Sequence, residues 1–480
     1  METATQTLHR LTSLEAWDEE HGWDPPVADP RVVTSFEPND IERLPWFYKR
    51  YPDELPSIAL PRDLPTTSAG TVDVLAGIAD VPPAELDLAQ LSRLLHLSAG
   101  ITRTTVRPYT TWLFRAAGSA GGRFPLEAYV SVPEWMSIPA GVYWYHPQRH
   151  ALVLIGPPPT GGGPAIVVTG VPWRTGWRYR ERGYRHVYWD AGTMLSQLLA
   201  LGDSAGLQPR LYTRFPDAQV ALLVGADRVH EWPVAVVALA GHPPALEPMG
   251  PAAVGEVDAA PLEFPLETAA QRAGETNELR APWATGAAVE PSGRGDGRSV
   301  EAAIGTRGSQ RLMDPTRGLP EVTLRTCMHV AMRGIDLPHR VVVHDVEGLA
   351  PGVYRWPDLS APVRGGDLRE ELYHVCLDQG LGRDAAFVAI AATDVSSLDD
   401  HAYREAHLAA GLVEGRLHLV AYAMDASACG MTFADGQIRS LLGEQLDALL
   451  FTCVGVPEYR SALGGPPGAP VDIRMRTPRM

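Results

Sequence analysis

The chain predicts an α+β protein made of two copies of one domain, and three observations lead there. Short segments recur at a nearly constant spacing. Helical patterns fall between strands that are not contiguous in sequence. A Pro-, Ala- and Gly-crowded stretch separates the two halves.

The recurrence is visible in three places. Ala140-Gly141-Val142-Tyr143-Trp144 returns, around its Gly-Val-Tyr centre, as Pro351-Gly352-Val353-Tyr354-Arg355-Trp356. Ala191-Gly192 before an apolar run returns as Ala410-Gly411 before a similar one, and Leu222-Leu223-Val224-Gly225 returns as Leu441-Leu442-Gly443. The offsets run from 211 to 219 residues. A unit that long is a domain and not a solenoid repeat. Two such halves in one chain are most simply a fused dimer.

Size and charge set bounds. A chain of 480 residues is long enough for two or three buried cores. Its 57 acidic against 41 basic residues leave a net charge of −16, which argues against nucleic acid as a general partner. The four cysteines (Cys327, Cys376, Cys429, Cys453) stand singly in apolar surroundings, without the C-x-x-C spacing of a metal site. They read as reduced core thiols of a cytoplasmic protein. No export signal is visible, and no stretch approaches the roughly 18 apolar residues of a membrane span.

Taken in order, residues 1–60 read as an irregular extension in which Leu44-Pro45-Trp46-Phe47-Tyr48 anchors to the body. The first domain is expected at 61–242. Leu88, Leu91, Leu94 and Leu95 share a helix face that begins at Asp87 and stops at Gly100. Leu126–Val132 and Ala151–Ile155 read as strands, and Thr160-Gly161-Gly162-Gly163-Pro164 as a hairpin leading into a strand over Ala165–Thr169. A helix follows over Ala191–Ala205, then a buried strand over Val234–Ala240. Residues 243–298 lack periodicity and read as a linker. The second domain, 299–480, repeats the pattern. Helices are expected near Leu368–Leu377, Ala410–Met424 and Gln437–Leu442, with strands at Ala386–Ala392 and Leu449–Val454. No glycine-rich turn follows a first strand, so the dinucleotide fingerprint is missing.

The chemistry concentrates in two segments about 190 residues apart. Arg307-Gly308-Ser309-Gln310-Arg311 offers two guanidinium forks and a hydroxyl, which together can grip an anion and a ring edge. Gly118-Ser119-Ala120-Gly121 offers small side chains that let backbone amides approach a ligand. A third segment, Trp173 to Trp189, interleaves Arg174, Arg178, Arg180, Arg182 and Arg185 with aromatic residues. It reads as a strand-turn-helix lining a site, or as a solvated face. Docking of an acidic leader peptide or a phosphorylated substrate is a third reading. His146 and His150 are four apart, but Pro147 between them argues against a metal pair on a helix. No metal site is expected.

These segments carry a family resemblance. With Phe47-Tyr48-Lys49-Arg50-Tyr51, Leu60-Pro61, Ala140-Gly141-Val142-Tyr143-Trp144-Tyr145, Trp177 to Arg185 and Ala428-Cys429-Gly430-Met431-Thr432-Phe433-Ala434-Asp435, in this order, the chain resembles the SagB/ThcOx-type dehydrogenases of the flavin-dependent nitroreductase superfamily, in tandem form. The resemblance implies two nitroreductase-like domains forming an intramolecular pseudo-dimer, with FMN held between them. It implies that Arg307, Ser309 and Arg311 contact the flavin and its phosphate, beside a Gly430-Met431-Thr432 turn. Ser119, Ala120 and Gly121 would complete the site from the other fold. The reciprocal site looks degraded, since the first half offers only Arg62-Asp63-Leu64-Pro65 for the arginine motif. One FMN per chain is therefore expected.

Members that oxidise azolines to azoles in ribosomal peptides place a Lys-Tyr pair where this chain has Arg178-Tyr179. Arginine stays protonated and cannot be a base. The expectation is that Arg178 lowers the pKa of Tyr179 and that Tyr179 takes the proton. The partner implied is a cyclodehydratase that makes the heterocycles. An FMN oxidoreductase acting on a small secondary metabolite, with or without NAD(P)H, and a non-catalytic subunit of a biosynthetic complex are the other readings.

Overall fold

The structure is a computed structural model that describes residues 2–17, 22, 23, 29–135 and 137–479. The part of the N-terminal extension at 18–21 and 24–28 lies outside the described residues. In chain order the first half contains α1 (Ala4–Leu11), β1 (Ser57–Ala59), α2 (Thr71–Ala76), α3 (Leu88–Ala99), β2 (Ile101–Val106) and β3 (Thr111–Arg115). It continues with β4 (Leu126–Val132), β5 (Gly141–His146), β6 (Ala151–Gly156), β7 (Ala165–Gly170), α4 (Pro172–Tyr179) and α5 (Gly183–Ser204). It ends with β8 (Arg210–Tyr212), α6 (Asp217–Val224) and β9 (Trp232–Ala238). After α7 (Pro265–Ala273) come α8 (Val300–Thr306), α9 (Glu321–Ala331), β10 (His339–Val343), β11 (Gly352–Arg355) and β12 (Arg364–Gly365). Then follow α10 (Arg369–Val375), α11 (Gly380–Asp384), β13 (Phe387–Thr393), α12 (Asp400–Ala423), β14 (Ser427–Met431), α13 (Ile438–Leu442), β15 (Asp447–Gly455) and β16 (Val471–Asp472).

Two antiparallel sheets hold most of the strands. The first runs β1-β6-β5-β4-β7-β9-β8 and the second β12-β11-β10-β13-β15-β14. Leaving out the edge strand β1, the two orders correspond strand for strand. The helices correspond as well. The long helix α5 enters between β7 and β8, as α12 does between β13 and β14. The short helices α6 and α13 both end at a left-handed glycine, Gly225 (φ +68°) and Gly443 (φ +67°). Those two glycines are the repeat seen in the sequence, and the αL cap is the reason each is glycine.

α5 and α12 are buried on nearly every side, with buried charges such as Arg185 and Arg404 held in ion pairs with Asp435 and Asp217. They pack directly on one another, and Gly192 and Gly411 let the backbones meet. α3 follows the sequence pattern closely. Asp87 accepts from the Gln90 amide as its N-cap, the leucine face is buried, and Gly100 is the C-cap. A third, small sheet has β2 paired to β3 and β16 joining β2 in parallel.

Several expectations need correction. The 160–164 segment is not a hairpin, because β5 and β4 lie between β6 and β7; Thr160 instead pairs with Glu247. Glycines bend the chain locally, but the apolar faces decide which strand sits next to which. The Trp177 to Arg185 stretch is helix, kink, helix. Trp173 and Trp177 are four apart and bury one helical face against Phe36 and Phe264. The kink falls at Arg180, where φ is +46°. The arginines there are not a solvated face, since Arg174, Arg182 and Arg185 are buried in ion pairs with Glu127 and Asp435. The extension contains α1, started by a Thr3/Gln6 capping box. The stretch 243–298 contains α7, too short for its period to stand out, and Gln271 of α7 accepts from Tyr188 Oη at 2.6 Å. All four cysteines are free and buried. Among the described residues no helix is long and apolar enough to cross a membrane.

Candidate functional site

A cavity of about 560 Å³ lies where the two halves meet. Ser119, Ala120 and Gly121 line it from the first half, with Arg178 and Tyr179. Ser309, Arg311, Gly430, Met431 and Thr432 line it from the second. Arg307 lines an adjoining cavity of about 370 Å³, which shares Gly118, Ser119, Ser309 and Arg311 with the first. Segments far apart in sequence are thus neighbours. A β-carbon added at Gly118 would lie 3.6 Å from Arg307 Nη1 and 3.9 Å from Ser309 Oγ.

The arginine segment is fixed by its backbone. α8 ends at Thr306, and the Arg307 amide closes it by donating to Ala303 O. Gly308 N donates to Tyr422 Oη at 3.1 Å, and Arg311 N donates to Tyr459 Oη at 3.2 Å. The Arg307 side chain is buried and donates to Ala116 O through Nη2, while its Nε has no protein partner. Burial and the neighbouring Arg103 lower its pKa to about 10, so it stays charged at neutral pH.

The small-residue loop is held by a residue that sequence reasoning missed. Asp190 of α5 accepts from Ser119 Oγ and, at 2.9 Å, from the Ala120 amide. Ser119 Oγ in turn accepts from Phe124 N at 2.7 Å. Burial pushes the Asp190 carboxyl well above the usual range; the donors from Ser119 and Ala120 only partly offset it, and the nearby Glu414 adds to the rise. A signal for Asp190 existed, since it immediately precedes the repeated Ala191-Gly192. A repeat, however, gives no clue to what its neighbours bind.

Gly121 explains how this loop meets the Arg178-Tyr179 pair. Its φ is +58°, and a β-carbon there would lie 2.6 Å from Tyr179 Oη and 2.8 Å from Arg178 Cδ. Only glycine fits both the turn and the contact. Arg178 Nε donates to Asn39 Oδ1 at 2.8 Å, so the N-terminal extension reaches the cavity. Tyr179 stacks on His186 with ring centroids 4.1 Å apart. The expected lowering of its pKa is not found. Burial raises the phenol, and the Arg178 guanidinium offsets only part of that. Tyr179 is therefore a neutral O–H donor at ordinary pH. His186 donates through Nδ1 to Arg182 O at 3.0 Å, and burial and Arg182 bring its pKa down to about 3. It is a neutral imidazole.

Gly430 and Met431 do not form a turn. They close the edge strand β14, paired to Thr452 and Phe451 of β15, and the loop starts at Thr432. Glu414 of α12 packs over Gly430, where a β-carbon would come within 2.1 Å of its Oε1. The Cys429 thiol also reaches the cavity, but burial pushes its pKa up to about 12, so it is no thiolate nucleophile. Asp435, at the end of the same motif, binds Arg182 and Arg185 and accepts from Leu14 N. It ties α5 and the extension together and lies off the cavity. His150 takes part in bonds with Ser92 Oγ and Tyr145 Oη, and no group of three or more metal-ligating side chains occurs among the described residues.

The residues present suit FMN. The smaller cavity is lined by Arg103, Arg115, Arg307, Arg311, Arg460, Arg474 and Arg476 against the single acid Asp472, a donor set for a phosphate. The larger one combines glycine-lined walls with Trp112, Trp177 and Trp189, which suits a flat aromatic ring system.

No family model matches the chain. A curated protein of Methanocaldococcus jannaschii, provisionally named a nitroreductase, is 26% identical over 164 residues, spanning 31% of this chain and 78% of the relative. The crystal structure of a protein from Anabaena variabilis, also provisionally named a nitroreductase, superposes with a TM-score of 0.70 at 22% identity. That match covers 95% of this chain and all of the other. A chain of the Escherichia coli microcin synthetase McbBCD complex reaches a TM-score of only 0.28 at 18% identity, over 49% of this chain and 90% of the other; a likeness that weak supports no inference. The fold is nitroreductase-like.

Proposed function

We propose that the chain is an FMN-dependent oxidoreductase with one composite site per chain, in which two nitroreductase-like units, 61–242 and 299–480, take the place of a dimer. The matching strand orders and the paired long helices support the tandem reading. One observation carries the functional reading. The Ser119–Gly121 loop of one unit and the Arg307–Arg311 segment of the other wall the same pair of cavities.

FMN bound there would supply hydride transfer at its N5. The chain's own residues bind and orient. Arg307, Arg311 and Ser309 offer donors to an anion, and Asp190 keeps the Ser119-Ala120 backbone in place. Arg178 and Tyr179 stand at the wall where a substrate would reach the ring.

For the substrate, we propose an azoline in a ribosomally made peptide, oxidised to the azole beside a cyclodehydratase; the ring would lose a proton to a base near Tyr179 and a hydride to the flavin, and oxygen would take the two electrons in turn. This reading rests on the Arg178-Tyr179 position within the resembling motif. The test is to incubate FMN-loaded protein with a thiazoline-bearing peptide and follow the loss of two hydrogens by mass spectrometry. An unchanged peptide with bound flavin would reject azoline oxidation and leave the oxidoreductase reading standing.

One observation favours a second reading, a reductase for a small metabolite. A phenol with a raised pKa is better suited to giving a proton than to taking one. Bleaching of the bound flavin by NADPH, with no change in the peptide, would select it.

A further inference from the structure

The site just described has a counterpart on the other side of the α5–α12 pair. α2 corresponds to α8 by its place in the element order, since each is followed by a longer helix, α3 or α9, ahead of its sheet; the residues that precede them, Gly70 and Ser299, pair in an isolated bridge. The segment after α2 is Gly77-Ile78-Ala79-Asp80, which holds no arginine. It corrects the assignment of the degraded motif to Arg62-Asp63-Leu64-Pro65. The loop between α9 and β10, which starts Met332-Arg333-Gly334, corresponds to the loop before β4 that carries Gly118–Gly121. β8 corresponds to β14. The three walls of the functional cavity are therefore all represented.

Each of these walls is in contact with the linker. Trp283 N donates to Leu211 O of β8 at 2.7 Å, and Trp283 Nε1 donates to Gly334 O at 3.1 Å. Val289 N donates to Ala76 O at the end of α2, at 3.0 Å. Between them Gly286, with φ +75°, crosses Gly334 so closely that a β-carbon would lie 2.4 Å from Gly334 N. Trp283 and Val289 pack on the core, while 284–288 stay exposed. Beneath the strap, Arg333 donates to Leu75 O at 2.8 Å and fills the space beside Gly77, where a β-carbon would lie 2.4 Å from its Cζ.

We infer that Trp283–Val289 is a strap closed over the counterpart of the cofactor site, and that with Arg333 it seals this position. The inference rests on the tandem reading above. It gives the linker a second role: besides joining the units, it closes one of two symmetry-related positions and leaves the other open. An open second mouth would admit solvent and adventitious anions between the units without the arginines that make the first one selective.

The test uses thiol labelling in the full-length chain, because the four native cysteines are buried. Ile335→Cys puts a probe next to Gly334, which the strap touches, at a position that is 9% exposed. Its reaction with a maleimide is compared between the native strap and one with residues 283–289 replaced by Gly and Ser at equal length. Labelling about tenfold faster with the replaced strap is expected, because removing a local closure raises the open population. Equal rates would overturn the inference. If the replaced chain does not fold by circular dichroism, Trp283→Ala is read the same way. Flavin plays no part in the readout, so failure here is distinct from failure of the FMN reading.

Discussion

Gly192 of α5 and Gly411 of α12 face each other across the two halves. A β-carbon on Gly192 would lie 2.4 Å from the Gly411 carbonyl carbon, and one on Gly411 would lie 2.4 Å from Trp189 O. The same two glycines form one of the repeats in the sequence. A close backbone approach between the halves is therefore made by equivalent residues, and Trp189 and Asp190 next to it line the cavity.

Gly411→Ala forces these backbones apart. Overpacking of this kind costs about 1–3 kcal/mol. Denaturant unfolding should show a lower midpoint with an unchanged slope, the product of shift and slope giving a loss of that size. Because Trp189 moves with its carbonyl, flavin affinity should fall as well.

Gly121→Ala combines left-handed backbone with a clash against Tyr179 Oη. Strain at such a position is worth about 1–3 kcal/mol. FMN affinity, read by quenching of flavin fluorescence, should weaken by roughly 10- to 100-fold, while the fold stays intact by circular dichroism.

Tyr179→Phe removes a phenol that meets both the Gly121 loop and Arg178. Flavin content should not change, and turnover should fall about 100-fold, the usual scale for a lost proton-transfer group. Undiminished turnover would remove Tyr179 from the chemistry.

Glu267 of α7 is buried, and burial together with the neighbouring Glu181 raises its pKa well above the ordinary value. Such a carboxyl keeps its proton in the fold when the unfolded chain has lost it. Its contribution is best below the unfolded value of about 4.3, and stability falls as pH rises from there toward the folded value. Glu267→Gln should flatten that fall, measured as melting temperature against pH.

The repeats and the long apolar runs were legible because period and glycine placement are local properties. That is why α3 and β4 stand where the pattern puts them, and why Gly225 and Gly443 could be paired as a repeat before their αL caps were seen. The site loops were legible by residue type, since small residues and paired guanidiniums suit an anion wherever they fall. Asp190, His186 and Asn39 were not, because their roles depend on which distant backbone folds against them. The phenol of Tyr179 shows the same limit. Its charged neighbour is adjacent in sequence, but the burial that outweighs it comes from the tertiary fold.

The most direct measurement is the flavin content of the purified protein, by absorbance and by quantifying FMN released on heating. A flavin band with close to one FMN per chain, lost in Arg311→Ala without loss of fold, is the predicted result. A protein that stays colourless after incubation with excess FMN would contradict the composite site and leave a non-catalytic role in a biosynthetic complex. Two equivalents would contradict the closed counterpart.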